Sequence, residues 1–159
     1  MDYARHLLID AYNVIYQLPD LRRLLKKGTA AAREALGTRV QVLHDHERIR
    51  VTLVFDGKGD EISVERPGEL TTFSYVYSTC SLSADDVIEQ IVGGTKDPAN
   101  CTVVTNDLAE RHTIEALGAT SLSPNDLEAW IAATEDAMVS KIKTRQKTIN
   151  SVWRNRLEF

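Results

Sequence analysis

Runs of apolar residues alternate along this chain with stretches whose apolar positions recur at helical spacing. HLLID, residues 6–10, reads as a first buried strand. In AAREALGTRVQVLHDHE, residues 31–47, Ala32, Leu36, Val40 and Leu43 share one helical face. RVTLVFDG, residues 50–57, predicts a second strand with a glycine stop after Asp56. The following stretch alternates β-branched and aromatic residues, interrupted by Pro67 and Gly68. That pattern predicts a loop or hairpin arm leading into a third strand over 72–77. In SADDVIEQIVGG, Ser83 caps a helix that buries Val87, Ile88, Ile91 and Val92 and ends at Gly93 and Gly94. NCTVVTND predicts a fourth strand and LAERHTIEALG the helix after it. The last helix starts with Ser123 as cap, Pro124 in the first position and Asp126 completing a capping box. Leu127, Ile131, Met138, Ile142, Ile149 and Val152 carry it nearly to the end, with room for a break.

Strands alternating with helices predict layers of helix around a mainly parallel sheet. In such folds, ligands bind outside the carboxyl ends of the strands. Acidic residues gather at those ends. Asp10 closes the first strand, Asp56 the second, and Asp107 follows the fourth, while Asp85 and Asp86 open the helix after the third. Each has a plain local role: Asp86 completes a capping box on Ser83, and Asp107 caps its own helix with Glu110 closing the box. Asp56 before Gly57 fits a turn, Asp85 suits a helix N-terminus, and Glu89 fits a solvated face. Local roles leave the repeated strand-end placement unexplained. Carboxylates brought together repel unless a cation neutralises them, and their hard oxygens suit Mg²⁺ or Mn²⁺. A cation so held supports hydrolysis of a phosphodiester.

Composition narrows the class. The chain has 159 residues, 43% hydrophobic and 26% charged, which fits one globular domain with a proper core. Its apolar runs fall far short of the roughly 20 residues that span a bilayer. No basic segment followed by an apolar stretch comes after Met1, so secretion is disfavoured. Cys80 and Cys101 make neither a metal-ligand spacing nor a disulfide framework, and reduced thiols point to the cytoplasm. The net charge is −4, which disfavours indiscriminate nucleic-acid binding. Its distribution changes that picture. Residues 137–157 include no acid but contain Lys141, Lys143, Arg145, Lys147, Arg154 and Arg156. Such a tail attracts a phosphate backbone, and Trp153 offers a stacking surface for a base. The competing expectation is a solvated basic face with Trp153 packed on the body.

Other chemistries find no support. His44, His46 and His112 lack partners at zinc-ligand spacing, and no glycine-rich phosphate loop follows the first strand. Tyr12 stands where an aspartate-nucleophile phosphatase needs its second Asp, and no serine nucleophile elbow is present.

LLIDAYNVI, VFDG, SADDVIEQIV and VVTND, in this order, resemble the YacP-like NYN-domain ribonucleases of the PIN-like superfamily. The resemblance covers nearly the whole chain. It implies a PIN-like three-layer α/β/α sandwich around a mainly parallel sheet with a long C-terminal helix, and metal-dependent cleavage of RNA. In some members the substrate is mRNA on the ribosome, which would connect the chain to mRNA decay. By position, Asp10, Asp85 and Asp107 match the acidic metal-binding core and Asn13 the asparagine of the first motif. Asp56 matches a ligand-supporting aspartate. Asp86, Glu89 and Asn106 are secondary candidates. Ala11 replaces the usual glycine of the first motif, and Asn106 stands where serine is familiar. Leu82 stands where some members carry Glu, which leaves one and two metal ions both open. The expectation is a cytoplasmic endoribonuclease that uses Mg²⁺ or Mn²⁺, a single domain over 1–159 with 139–159 as a basic helical extension. In that extension Lys143, Arg145, Lys147, Trp153, Arg154 and Arg156 would contact RNA. The rival is a non-catalytic PIN-like module that binds RNA or the ribosome.

Overall fold

A computed structural model describes residues 3–157. The last two positions of the basic extension, 158 and 159, lie outside the described residues. In chain order the elements are β1 (His6–Asp10), α1 (Ala11–Gln17), α2 (Pro19–Leu24), α3 (Thr29–Glu47), β2 (Arg50–Gly59), β3 (Ser63–Glu65) and β4 (Phe73–Thr79). There follow α4 (Ala84–Gly94), β5 (Cys101–Val104), α5 (Leu108–Ala116), β6 (Thr120–Leu122) and α6 (Pro124–Leu157).

Among the described residues the strands form one sheet in the order β3-β4-β2-β1-β5-β6. Every pairing is parallel except β3 on β4. β1 lies between β2 and β5 at the centre of the sheet, and helices cover both of its faces. This explains why Leu7, Leu8 and Ile9 form an unbroken apolar run, all fully buried. Alternation along the strands sorts the core into two halves. Leu7, Ile9, Leu53 and Phe55 pack with Val14, Leu36, Val40 and Leu127 from α1, α3 and α6. Leu8, Val54 and Val103 pack with Val87, Ile88 and Ile114 from α4 and α5. The result is the expected α/β/α sandwich. A helix on each face seals a sheet that could not otherwise hide its backbone and side chains.

The differences from the sequence reading have local causes. β2 continues to Gly59 through an irregularity in its pairing with β4. Gly57 is therefore not a strand stop. A Cβ there would lie 2.0 Å from the Ser78 carbonyl oxygen, so the close approach of two backbones demands glycine. β6 is a three-residue strand, half exposed, within a stretch read as the approach to the last helix. α1 and α2 are short helices between the first strand and α3, a stretch for which the apolar pattern predicts no element. His44 is a buried residue of α3. Its ring nitrogens hydrogen-bond the Asp45 carboxylate and the Thr72 hydroxyl, both at 2.8 Å.

α6 runs unbroken to residue 157. Its first turns bury Leu127 and Ile131, and the Glu47 carboxylate accepts hydrogen bonds from Trp130 Nε1 (3.0 Å) and Thr134 Oγ1 (2.7 Å). Past Met138 the described side chains are exposed, Trp153 included at 57%. The expectation of Trp153 packed on the body is not met. No described helix is long and apolar enough to cross a membrane.

Candidate metal centre

The end of one strand and the first turns of two helices bring acidic residues together at the carboxyl edge of the sheet. Asp10 ends β1 on the same face as Leu8, toward α4 and α5. It is the N-cap position of α1, yet its side chain makes no capping bond, so its carboxylate is free to face elsewhere. Asp85 sits in the first turn of α4 and Glu110 in the first turn of α5. One oxygen from each of Asp10, Asp85 and Glu110 lies within 4.8 Å of the others.

The local sequence explains the convergence. Asp85 shares a helical face with Ile88 and Val92, and Glu110 shares one with Ile114; those residues pack on the sheet. Side chains on a helix lean toward its N-terminus, which carries both carboxylates to the strand ends. Helix N-termini favour negative charge, so α4 and α5 moderate the repulsion between them.

Burial sets the electrostatics. Asp10 is 6% and Glu110 3% exposed. Removal from water, then the hydrogen bond and charge of Asp85, push the Asp10 carboxyl up to about 8. Burial, then the charge of Asp10, push Glu110 up to about 9. Neither Glu110 oxygen has a hydrogen-bond partner among the described residues. An unsatisfied buried carboxylate is costly, and a cation is the usual remedy. Three oxygen donors, two of them buried, fit a hard divalent ion such as Mg²⁺ or Mn²⁺.

The remaining candidates surround this group without joining it. Asp56 Oδ1 accepts the Ala84 backbone N–H at 2.9 Å, pinning the first turn of α4 immediately before Asp85. Asn13 Oδ1 accepts the Asn106 backbone N–H at 2.8 Å and so ties α1 to the loop that enters α5. Asp86 is engaged in the capping box with Ser83, its Oδ2 accepting the Ser83 N–H at 3.0 Å. Glu89 lies a turn farther along α4, in a surface hollow with Leu82, Asp86 and Thr113.

Asp107 departs from expectation. The structure does not bring it into the three-carboxylate group. Its Oδ1 accepts the N–H groups of Ala109 (2.9 Å) and Glu110 (3.4 Å), which makes it the N-cap of α5. Glu110, read from sequence as the residue closing a capping box, turns inward instead. The signal that could have found it was its register with Ile114: an acid aligned with a buried residue is out of place unless it serves the site. The six C-terminal candidates, Lys143, Arg145, Lys147, Trp153, Arg154 and Arg156, are all exposed on α6.

A family model described as "YacP-like NYN domain" matches residues 7–158. No curated protein matches the chain. Two solved structures of Rae1 (YacP) from Bacillus subtilis are similar, each at 24% identity. A point mutant superposes with a TM-score of 0.71, covering 92% of this chain and 84% of that one. The other superposes with a TM-score of 0.68, covering 98% and 89%.

Proposed function

This chain belongs to the YacP-like NYN domain family, and on that premise we propose that it is a divalent-metal-dependent endoribonuclease hydrolysing RNA phosphodiester bonds. The observation that carries the reading is the buried group Asp10, Asp85 and Glu110, with both Glu110 oxygens unpartnered among the described residues. In this reading those three residues hold Mg²⁺ or Mn²⁺. A bound cation supplies Lewis-acid charge to a phosphoryl oxygen and lowers the pKa of a water. The carboxylates keep that charge at the strand ends, and the apolar core behind them excludes bulk water from their inner side.

Asp56, Asn13 and Asp107 act as positioning residues. Asp56 sets the start of α4, Asp107 caps α5, and Asn13 fixes the Asn106 loop between β5 and α5. Each holds one wall of the site where a ligand must stand, a role that commonly contributes ten- to a hundred-fold to affinity or activity. Asp86 and Glu89 add negative charge nearby.

Residues 139–159 serve as a basic extension that recruits substrate. Lys143, Arg145, Lys147, Arg154 and Arg156 attract the phosphate backbone, and Trp153 stacks on a base. The substrate is cytoplasmic RNA, with mRNA engaged on the ribosome as its specific form. A cleavage assay on free and ribosome-engaged RNA, run in Mg²⁺, in Mn²⁺ and in chelator, tests the proposal. Cleavage is expected with either metal and none in chelator or for Asp10→Asn. Full cleavage in chelator, or by that variant, would overturn it.

A further inference from the structure

The same edge of the sheet carries a second set of side chains on the opposite layer, and the chemistry above does not use them. Phe55 immediately precedes Asp56 and pairs in register with Tyr77 on β4. Their rings stack at 5.3 Å with 21° between planes. Tyr12, two residues after Asp10, meets the Phe55 ring edge-on at 5.4 Å. Arg33 reaches over from α3 and sets its guanidinium 5.7 Å from the Tyr77 ring centre and 6.0 Å from that of Phe55.

Arg33 is half-buried and forms no salt bridge among the described residues. Its one hydrogen bond to a threonine, Nη1 to Thr29 Oγ1, is long at 3.5 Å. The nearby carboxylate of Glu65 accepts the Tyr77 hydroxyl at 3.3 Å and leaves the guanidinium without an ion pair. A side-chain hydrogen bond with Tyr12 is the foremost cause raising the Arg33 pKa, and it engages one of the guanidinium donors. A guanidinium carries five N–H donors, and contacts with ring faces hold its plane without satisfying them. Its edge is therefore an oriented cation with donors to spare, at the end of the sheet where the substrate strand must pass.

We propose that Arg33, braced by Phe55, Tyr77 and Tyr12, grips a backbone phosphate of the RNA strand next to the phosphodiester presented to the carboxylates. The inference rests on the nuclease reading of the site and adds the residue that sets the strand's path across it. Phosphate is the anion that suits this group, because the planar fork of arginine matches two phosphate oxygens at once. A single strand offers such a phosphate at every nucleotide, so the contact fixes register without reading sequence.

The test is binding of the full chain to short single-stranded RNA in chelator, where no cleavage competes. Arg33→Gln is expected to weaken binding by about ten-fold and to lower the log–log salt slope by roughly 0.7. Arg33→Lys should restore the slope and only part of the affinity, since a point charge replaces a fork. In the wild-type protein the Arg33 Nε–H resonance should shift on adding RNA, a readout that needs no variant to fold. Unchanged affinity and slope in Arg33→Gln, or an unmoved Arg33 resonance at saturating RNA, would overturn the anchor. A parallel cleavage assay separates the two claims. Metal-dependent cleavage with wild-type KM in Arg33→Gln removes the anchor and leaves the nuclease. Arg33-dependent binding without cleavage in Mg²⁺ or Mn²⁺ keeps the anchor and removes the nuclease.

Discussion

The carboxylate group and the distal half of α6 are opposites in charge and in construction. Asp10, Asp85 and Glu110 come from three elements far apart in sequence and are held at the edge of the core. Without a cation, burial and mutual repulsion make two of them expensive to ionise. The basic residues beyond Met138 come from one continuous helix, stand in water and pay no desolvation cost. A cluster that strains the fold needs a use to offset the strain, whereas an exposed basic face costs the fold almost nothing. Changes at the two regions should therefore differ in kind. At the cluster they trade stability against activity; on the helix they alter salt-dependent binding alone.

The sharpest break is Glu110 against Asp107. Glu110→Gln should lower metal-dependent RNA cleavage by at least about a hundred-fold, because it removes a ligand charge and keeps the volume. Asp107→Ser, which retains a capping oxygen, should cost less than about ten-fold. Steady-state cleavage rates at saturating Mn²⁺ check both. Equal losses would mean that Asp107 belongs with the ligands after all.

Stability against pH is the next largest effect. Burial, and then the neighbouring acidic charges, push the Asp10 and Glu110 carboxyls up to about 8 and about 9 in the folded protein, against roughly 4 in an unfolded chain. Their folded values are raised, so their contribution is fully present below about pH 4 and is lost as pH rises toward 8 and 9. The slope reaches at most about 1.4 kcal/mol per pH unit for each group. Thermal melts of metal-free protein should therefore fall between about pH 5 and pH 9, and less steeply for Asp10→Asn. Added Mn²⁺ requires the ionised forms, so the rise in Tm that it produces should grow with pH. A Mn²⁺ effect that shrinks with pH would contradict this.

The distal helix should respond more gently. Lys143→Ala with Lys147→Ala should lower the salt slope of RNA binding by roughly 1.4, at about 0.7 per lost single-strand contact. Mn²⁺ affinity should stay at the wild-type value, and stability should move by no more than about 0.5 kcal/mol. Fluorescence anisotropy over a range of salt concentrations gives the slope. The smallest effect is the cap itself. Asp107→Ala should cost about 1 kcal/mol, or roughly 3 °C in Tm.

The main elements were legible in the residues because their signals are local. Ser83 caps α4 and Ser123 caps α6, as their spacing to Asp86 and Asp126 indicates. The apolar runs of β1, β2 and β5 are strands because each is covered by helices on both faces. β3 is the hairpin arm that the alternating pattern before Pro67 allows, whereas β6 has no signal of its own, being three residues long and owing its existence to β5. Within the site, Asp10 and Asp85 could be named from their place at element ends. Glu110 could not be separated from a capping-box residue, since the box pattern and an inward-turned acid at the same position look alike in sequence. Only the packing of α5 on the sheet distinguishes them. Arg33 was hidden for a similar reason: its partners Phe55 and Tyr77 become neighbours through the parallel register of β2 and β4.

The central claim is that Asp10, Asp85 and Glu110 together hold a divalent cation. Anomalous diffraction from a Mn²⁺-soaked crystal tests it most directly. The expected result is a Mn²⁺ peak with an oxygen from each of the three carboxylates at about 2.2 Å, and its loss in Glu110→Gln. A saturated crystal with no Mn²⁺ there, or a Mn²⁺ bound through Asp107 with Glu110 left outside its coordination, would contradict it.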